Sequence, residues 1–170
     1  MGRPRTICVI GNANIDLVAG SIADWPAWGT EIFLARSDFR IGGSAANTAV
    51  VLQRLGQDSG LVSACGQDPV GDLIVRQFSS KLDRIAQVPE TTSMSVGILQ
   101  IGGERSFFST NGHLDRLDAP FFRRSLEGWP LEGALALVSG GFALPALAAG
   151  HVGLLRWLKD RGAEVAIDPG

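Results

Sequence analysis

Three short stretches carry residues able to do chemistry. The first is Gly11-Asn12-Ala13-Asn14-Ile15-Asp16, which follows the apolar run Thr6–Ile10. An ionised Asp16 two residues from Asn14 offers acceptors and donors for adjacent hydroxyls of a polyol. The same residues also suit a polar turn with an Asx-type cap, and spacing alone leaves both open. The second stretch is Gly42-Gly43-Ser44-Ala45-Ala46-Asn47, at an expected strand-to-helix junction. A helix N-terminus presents free N–H groups, and glycines let a ligand approach the backbone closely. The stretch matches neither GxGxxG nor GxxxxGK[ST], and a purely structural turn is the equal alternative. The third is Ser109-Thr110-Asn111-Gly112-His113, in which Asn111-Gly112 suits a surface turn, with a ligand-facing loop as the other option. His113 and His151 are the only histidines and lie far apart in sequence, too few for a zinc ligand set. Trp25, Trp28 and Phe39 suit core or loop packing, with a pocket edge or subunit contact as the other option.

These stretches need a scaffold. Thr6–Ile10 and Leu61–Ala64 are continuous apolar runs, as in strands buried on both faces. Ile15–Val18 continues extended, and Glu31–Ile41 alternates like one or two half-exposed strands. Ser44–Leu55 reads as a helix capped by Ser44, with Ala45, Ala46, Ala49 and Leu52 as its packing face and Gly56 as its stop. A second helix is expected from about Val70 to Leu82. Ser95–Ile101 and Arg105–Ser109, joined by Gly102-Gly103-Glu104, read as a hairpin outside the main sheet. Leu135–Val138 and Glu164–Ile167 read as strands flanking a helix over Leu144–Arg161. This order predicts an α/β fold with a parallel sheet.

Composition narrows the function classes. The 170 residues are 45% hydrophobic and 19% charged with a formal net charge of −2, which argues against nucleic acid or an anionic membrane as partner. Arg3 and Arg5 precede an apolar stretch, but Ile7–Ile10 is too short for a signal sequence, and no window approaches a membrane span. The expected location is cytoplasmic. Cys8 and Cys65 each sit in an apolar run without a CxxC partner, which predicts two reduced core thiols and no metal site. The 22 glycines cluster at element boundaries and read as tight turns.

Taken together, the residues resemble the ribokinase-like (PfkB) family of carbohydrate kinases over almost the whole chain. The resemblance rests on Val9-Ile10-Gly11-Asn12-Ala13-Asn14-Ile15-Asp16, on Pro26 with Gly29-Thr30-Glu31, and on Gly42-Gly43-Ser44-Ala45-Ala46-Asn47-Thr48-Ala49. Leu55-Gly56, Gly66-Gln67-Asp68-Pro69-Val70-Gly71 and Asp168-Pro169 continue it in order. It implies a Rossmann-like parallel sheet with helices on both faces and a small β lid. The lid strands would come from about Ile15–Ile41 and Ser95–Ser109. It further implies that Asn14, Asp16, Gly42, Gly43, Ser44 and Asn47 line a sugar site, with Phe107 and Asn111 as lid or substrate contacts. A homodimer through the lid, and ATP with Mg2+ for the complete enzyme, follow from the same resemblance.

The departures are specific. Ser44 stands where ribokinase proper has a lysine, and Gly140-Gly141 where it has a sugar-contacting glutamate, so the resemblance does not point to ribose. The family's Gly-Ala-Gly-Asp motif, with its catalytic base, and its magnesium-associated Asn-x-x-Glu do not occur. Residues 1–170 are therefore expected to be the N-terminal, substrate-binding part of such a kinase, without the ATP-binding part and with the base beyond Gly170. The expected function is transfer of the ATP γ-phosphoryl to a hydroxyl of a sugar or sugar-like polyol. This chain alone is expected to be inactive, and a non-catalytic sugar- or nucleoside-binding module or an inert fragment is the alternative.

Overall fold

The computed structural model describes residues 5–169, so Arg3 and Gly170 of the sequence reading lie outside the described residues. Five strands form a wholly parallel sheet: β1 (Ile7–Gly11), β4 (Ser59–Gly66), β5 (Arg84–Val88), β8 (Leu135–Ser139) and β9 (Glu164–Asp168). Their order is β5-β4-β1-β8-β9. Apolar runs form the central strands because the pleat sends alternate side chains to two different cores. Cys8 and Ile10 of β1 join Val62, Ala64, Phe122, Leu154 and Leu158 on one face. Val9 joins Ala45, Ala46, Leu61, Cys65 and Ile74 on the other.

Helices α1 (Ser44–Arg54) and α2 (Pro69–Gln77) supply the second of those cores. Helices α3 (Ala119–Ser125) and α4 (His151–Lys159) supply the first. Alanines 45, 46 and 49 let α1 lie close against the sheet. Asp68 caps α2 by accepting from the Gly71 amide at 2.7 Å, and Asp118 caps α3 by accepting from the Phe121 amide at 2.7 Å. Both cysteines are free and buried, as expected. Burial, and secondarily the Asp68 and Asp72 carboxylates, push the Cys65 thiol up to about 11.

A second sheet of four strands stands apart, in the order β3-β2-β6-β7. It contains β2 (Asn14–Ile22), β3 (Arg36–Gly42), β6 (Met94–Gln100) and β7 (Arg105–Ser109). The β6–β7 hairpin lies outside the main sheet, where the sequence put it. Three local expectations change. The alternation over Glu31–Ile41 becomes a strand only from Arg36, because only residues 36–42 pair with β2. Helix α2 ends at Gln77, because Phe78 leaves the helix in an extended conformation and the Ser80 amide is held by the Asp83 carboxylate at 2.7 Å. Leu144–Arg161 divides into a 3-10 segment, Pro145–Gly150, before α4 begins. Strand β5 and helix α3 were not expected at all.

Candidate functional site

In an open α/β sheet the ligand crevice lies at the carboxyl ends of the strands where the winding reverses. Here that point is between β1 and β8. From β1 the main sheet grows through β4 to β5, and β8 and β9 lie on the other side. Asn12 follows β1 and Gly140 follows β8, and a β-carbon on Gly140 would collide with the Asn12 side-chain oxygen.

Asn12, within the first motif, has a structural role. Its carbonyl accepts from the Ala46 amide at 3.2 Å and its side-chain oxygen from the Ala45 amide at 3.4 Å. The start of α1 is thus satisfied from the end of β1. Ser44 does not cap the helix, contrary to expectation. Gly43 occupies the cap position without a side-chain hydrogen bond, and Ser44 is the first helical residue, its carbonyl accepting from Thr48 Oγ1 at 3.0 Å. A cap supplied from another strand leaves no local sequence signal.

Asn14 is buried and Asp16 half-buried at the start of β2, with Asn14 Nδ2 donating to Asp16 Oδ1 at 2.8 Å. That bond fixes the amide so that Asn14 Oδ1 is left to face Gly43. Gly42 and Gly43 have physical reasons to be glycine here. A β-carbon on Gly42 would run into the Asp16 carboxylate. Gly43 has φ +95°, and a β-carbon there would stand 2.6 Å from the Asn12 carbonyl oxygen and 2.9 Å from Asn14 Oδ1. Asn14, Asp16, Gly42 and Gly43 therefore form one cluster.

Register extends that cluster across the smaller sheet. Residues paired directly across strands share a face. Asp16 pairs with Arg40 on one side and Ser95 on the other, and Ser95 pairs with Ser109. The two serine hydroxyls lie 2.8 Å apart. Phe107 pairs with Gly97 and, through it, with Val18, so it shares the Asp16 face and lays its ring over Gly97. Nothing in the sequence places Ser95 and Ser109 on the Asp16 face, since alternation shows which residues share a strand face but not which strands are neighbours.

Asn47 is placed differently. It is exposed one turn into α1 and lines an open groove of about 650 Å³ with Ile15, Phe39, Ile41 and Val50. Ile15 alternates with Asn14 and Asp16 and so points from the opposite face of β2. Asn111 is exposed and precedes the 3-10 turn Gly112–Arg116, its carbonyl accepting from the Leu114 amide at 3.0 Å. Trp28 is fully exposed, and Trp25 stacks edge-on against Phe108, which alternates with Phe107 onto the other face.

His113 is fully buried. Its Nδ1 accepts from the Ser93 amide at 3.0 Å and its Nε2 contacts the Ala13 carbonyl at 3.0 Å, which requires the neutral ring protonated at Nε2. Its own amide donates to the Thr91 carbonyl at 2.8 Å. One side chain thus ties the segment entering β2 to the segment entering β6. Burial holds its pKa below the usual histidine value, against smaller opposing effects from these hydrogen bonds, Asp68 and Glu90. Beside it, Asp68 accepts from the Thr92 amide and hydroxyl, both at 2.7 Å. Burial disfavours the Asp68 carboxylate, but these bonds and those from the α2 amides outweigh it and hold its pKa below the usual carboxylate range. Among the described residues no group of three or more His, Cys, Asp or Glu side chains is placed to hold a metal ion. No helix among them is long and apolar enough to cross a membrane.

Known proteins resemble this chain in sequence and in fold. An uncharacterised sugar kinase of Escherichia coli, YegV, is 29% identical over 110 residues, covering 64% of this chain and 34% of that protein. Ribokinase of Bacillus subtilis is 29% identical over 126 residues, 72% of this chain and 43% of that protein. The chain thus spans less than half the length of these relatives. Ribokinase from Giardia lamblia superposes with a TM-score of 0.77 at 20% identity, over 98% of this chain and 52% of that one. Arabidopsis thaliana ribokinase, solved with ribose and ATP, gives 0.73 at 20% identity, over 98% and 54%. These likenesses establish a ribokinase-like fold. The pattern of the pfkB family carbohydrate kinases matches residues 4–169, and the chain belongs to that family.

Proposed function

We propose that this chain is the acceptor-binding part of an ATP-dependent kinase that phosphorylates a hydroxyl of a sugar or sugar-like polyol. The observation that carries the reading is the Asn14–Asp16 pair set against Gly42–Gly43 at the reversal point of the sheet. Asp16 accepts from sugar hydroxyls and Asn14 orients the carboxylate, while the glycines let the sugar reach the backbone. Asn47 adds a polar contact from α1. Holding the hydroxyl in one orientation is what such residues contribute to phosphoryl transfer. The smaller sheet serves as a lid that excludes water from the acceptor. Phe108 of this sheet and Trp25 and Phe33 of the segment between β2 and β3 are exposed, and a second copy of the chain covering them belongs to the same proposal.

ATP with Mg2+ supplies the phosphoryl group in the complete enzyme. This chain's own side chains act on the acceptor. Ser44 and Gly140-Gly141 depart from ribokinase proper at the sugar site and favour an acceptor other than ribose. The absence of Gly-Ala-Gly-Asp from the 170 residues favours a second reading, sugar binding without turnover by this chain alone.

The test is ligand-induced thermal stabilisation with D-ribose, D-fructose and adenosine. The expected result is saturable stabilisation by at least one of them, reduced at least tenfold in apparent affinity in Asp16→Ala. The ligand-free Asp16→Ala chain should melt within a few degrees of the parent. Binding unchanged by Asp16→Ala overturns the site, and clear turnover in a coupled assay overturns the second reading.

A further inference from the structure

The face of the smaller sheet that carries Asp16 also carries an unusual set of charges. Across that face, Arg40 stands beside Asp16, Asp38 beside Val18, and Arg36 beside Gly20. On the other side Gly20 pairs with Leu99, and Leu99 with Arg105. Arg36, Arg40 and Arg105 therefore point from the same side of the sheet as Asp16. They line one groove of about 410 Å³ with Val18, Asp38 and Leu99.

Charge within this groove is not balanced. Arg40 lies 3.6 Å from Asp38, an exposed and weak pair. Arg36 and Arg105 make no ion pair among the described residues. Three arginines against one aspartate form a local positive surplus on a chain whose net charge is −2. A solvated strand face needs charge but gains nothing from gathering one sign in one groove, since like charges repel. Arginine is also the side chain whose planar fork fits a carboxylate or phosphate with two parallel hydrogen bonds. Asp16 and Gly20 are four residues apart on β2, about 13 Å at strand rise. Arg40 starts beside Asp16, while Arg36 and Arg105 lie across from Gly20 and are long enough to reach back along the groove. A ligand with hydroxyls at Asp16 and an anionic group beyond Val18 spans the two.

We propose that the acceptor carries an anionic group, phosphate or carboxylate, held by Arg36, Arg40 and Arg105, so that the substrate class is a sugar phosphate or sugar acid. This rests on the sugar-site reading above and narrows it. The groove supplies specificity: a neutral sugar leaves the arginines without a partner, while an anionic one neutralises them. Because the arginines are exposed, the affinity it adds falls with salt.

The experiment is calorimetric titration of the 170-residue chain with D-ribose 5-phosphate, D-fructose 6-phosphate and D-gluconate, each against its neutral parent sugar. Inorganic phosphate alone serves as control. At least one anionic sugar is expected to bind tenfold or more tightly than its parent, with affinity falling several-fold between low and physiological salt. Whether the phosphates or gluconate bind identifies the source of the charge. Arg36→Gln and Arg105→Gln should each remove most of that preference and leave neutral-sugar binding and the melting temperature unchanged. Lysine at either position should restore it only in part. Equal binding of neutral and anionic sugars overturns the inference and leaves the sugar site standing. Phosphate alone binding as tightly as the sugar phosphates, indifferent to Asp16→Ala, reduces the groove to a non-specific anion contact and overturns it as well. No binding of any sugar overturns both readings together.

Discussion

The two sheets are built on opposite principles. All eight residues of β4 are buried, and β1 feeds two separate cores. In the smaller sheet, β3 is exposed from Arg36 to Arg40, and β7 is exposed at four of its five residues. The main sheet is covered by helices on both faces and is stabilised by burial. The smaller one has main-chain pairing and one end anchored to the main body through Asn12–Asn14, Thr91–Ser93 and Gly112–His113. A sheet that is tied at one end and exposed along β3 and β7 is suited to meet ligands. The side chains proposed to bind the acceptor lie at its root and on one of its faces.

This contrast is easiest to break in the core. Phe122→Ala, at 0% exposure, should cost about 3–5 kcal/mol in denaturant unfolding, while Phe108→Ser, at 60% exposure in the smaller sheet, should cost under about 1 kcal/mol. Equal costs would mean that the two sheets share one core. Gly43→Ala should come next, because its β-carbon meets the Asn12 carbonyl at a positive φ. The expected loss is about 1–3 kcal/mol of stability together with sugar binding. Full binding in that variant would show that the β1–α1 junction yields.

Acidification probes the root of the smaller sheet. His113 is held neutral with its pKa below the ordinary 6.5, so on unfolding it takes up a proton once the pH drops under that value. Stability should therefore be level above about pH 7 and fall as pH drops below about 6.5, until the folded pKa is reached. The slope from this one group is at most about 1.4 kcal/mol per pH unit. Asp68, with its pKa below the usual 3.8, adds a loss at lower pH. His113→Asn should flatten the upper part of the profile, and an unchanged slope would remove His113 from that role. The smallest effect is expected from exposed Asn47, whose replacement by alanine should weaken sugar binding about two- to fivefold with no change in melting temperature.

The elements that could be read from the chain are those with self-contained signals. Apolar runs located β1, β4 and β8, and alternation with Gly102-Gly103 located the β6–β7 hairpin. Strand β5 was missed because Arg84-Ile85-Ala86-Gln87-Val88 is a half-buried edge, too polar to stand out. Helix α3 was missed although Asp118 with Pro120 two residues on is a start signal, because its seven residues are too few for a helical period to show.

Local chemistry in the sequence determined the α/β class and the free buried cysteines, and it singled out Asn14 with Asp16 and Gly42 with Gly43 as two separate stretches that only strand pairing brings together. Each of these depends on residue type and short spacing. Tertiary structure alone decided that Asn12 caps α1, that His113 is a buried tie, and that Ser95, Ser109, Phe107 and the three arginines share a face with Asp16. The physical reason is strand order and register. A strand shows its own alternation, but which strand lies beside it, and in what register, is set by long-range pairing that no local window of residues contains.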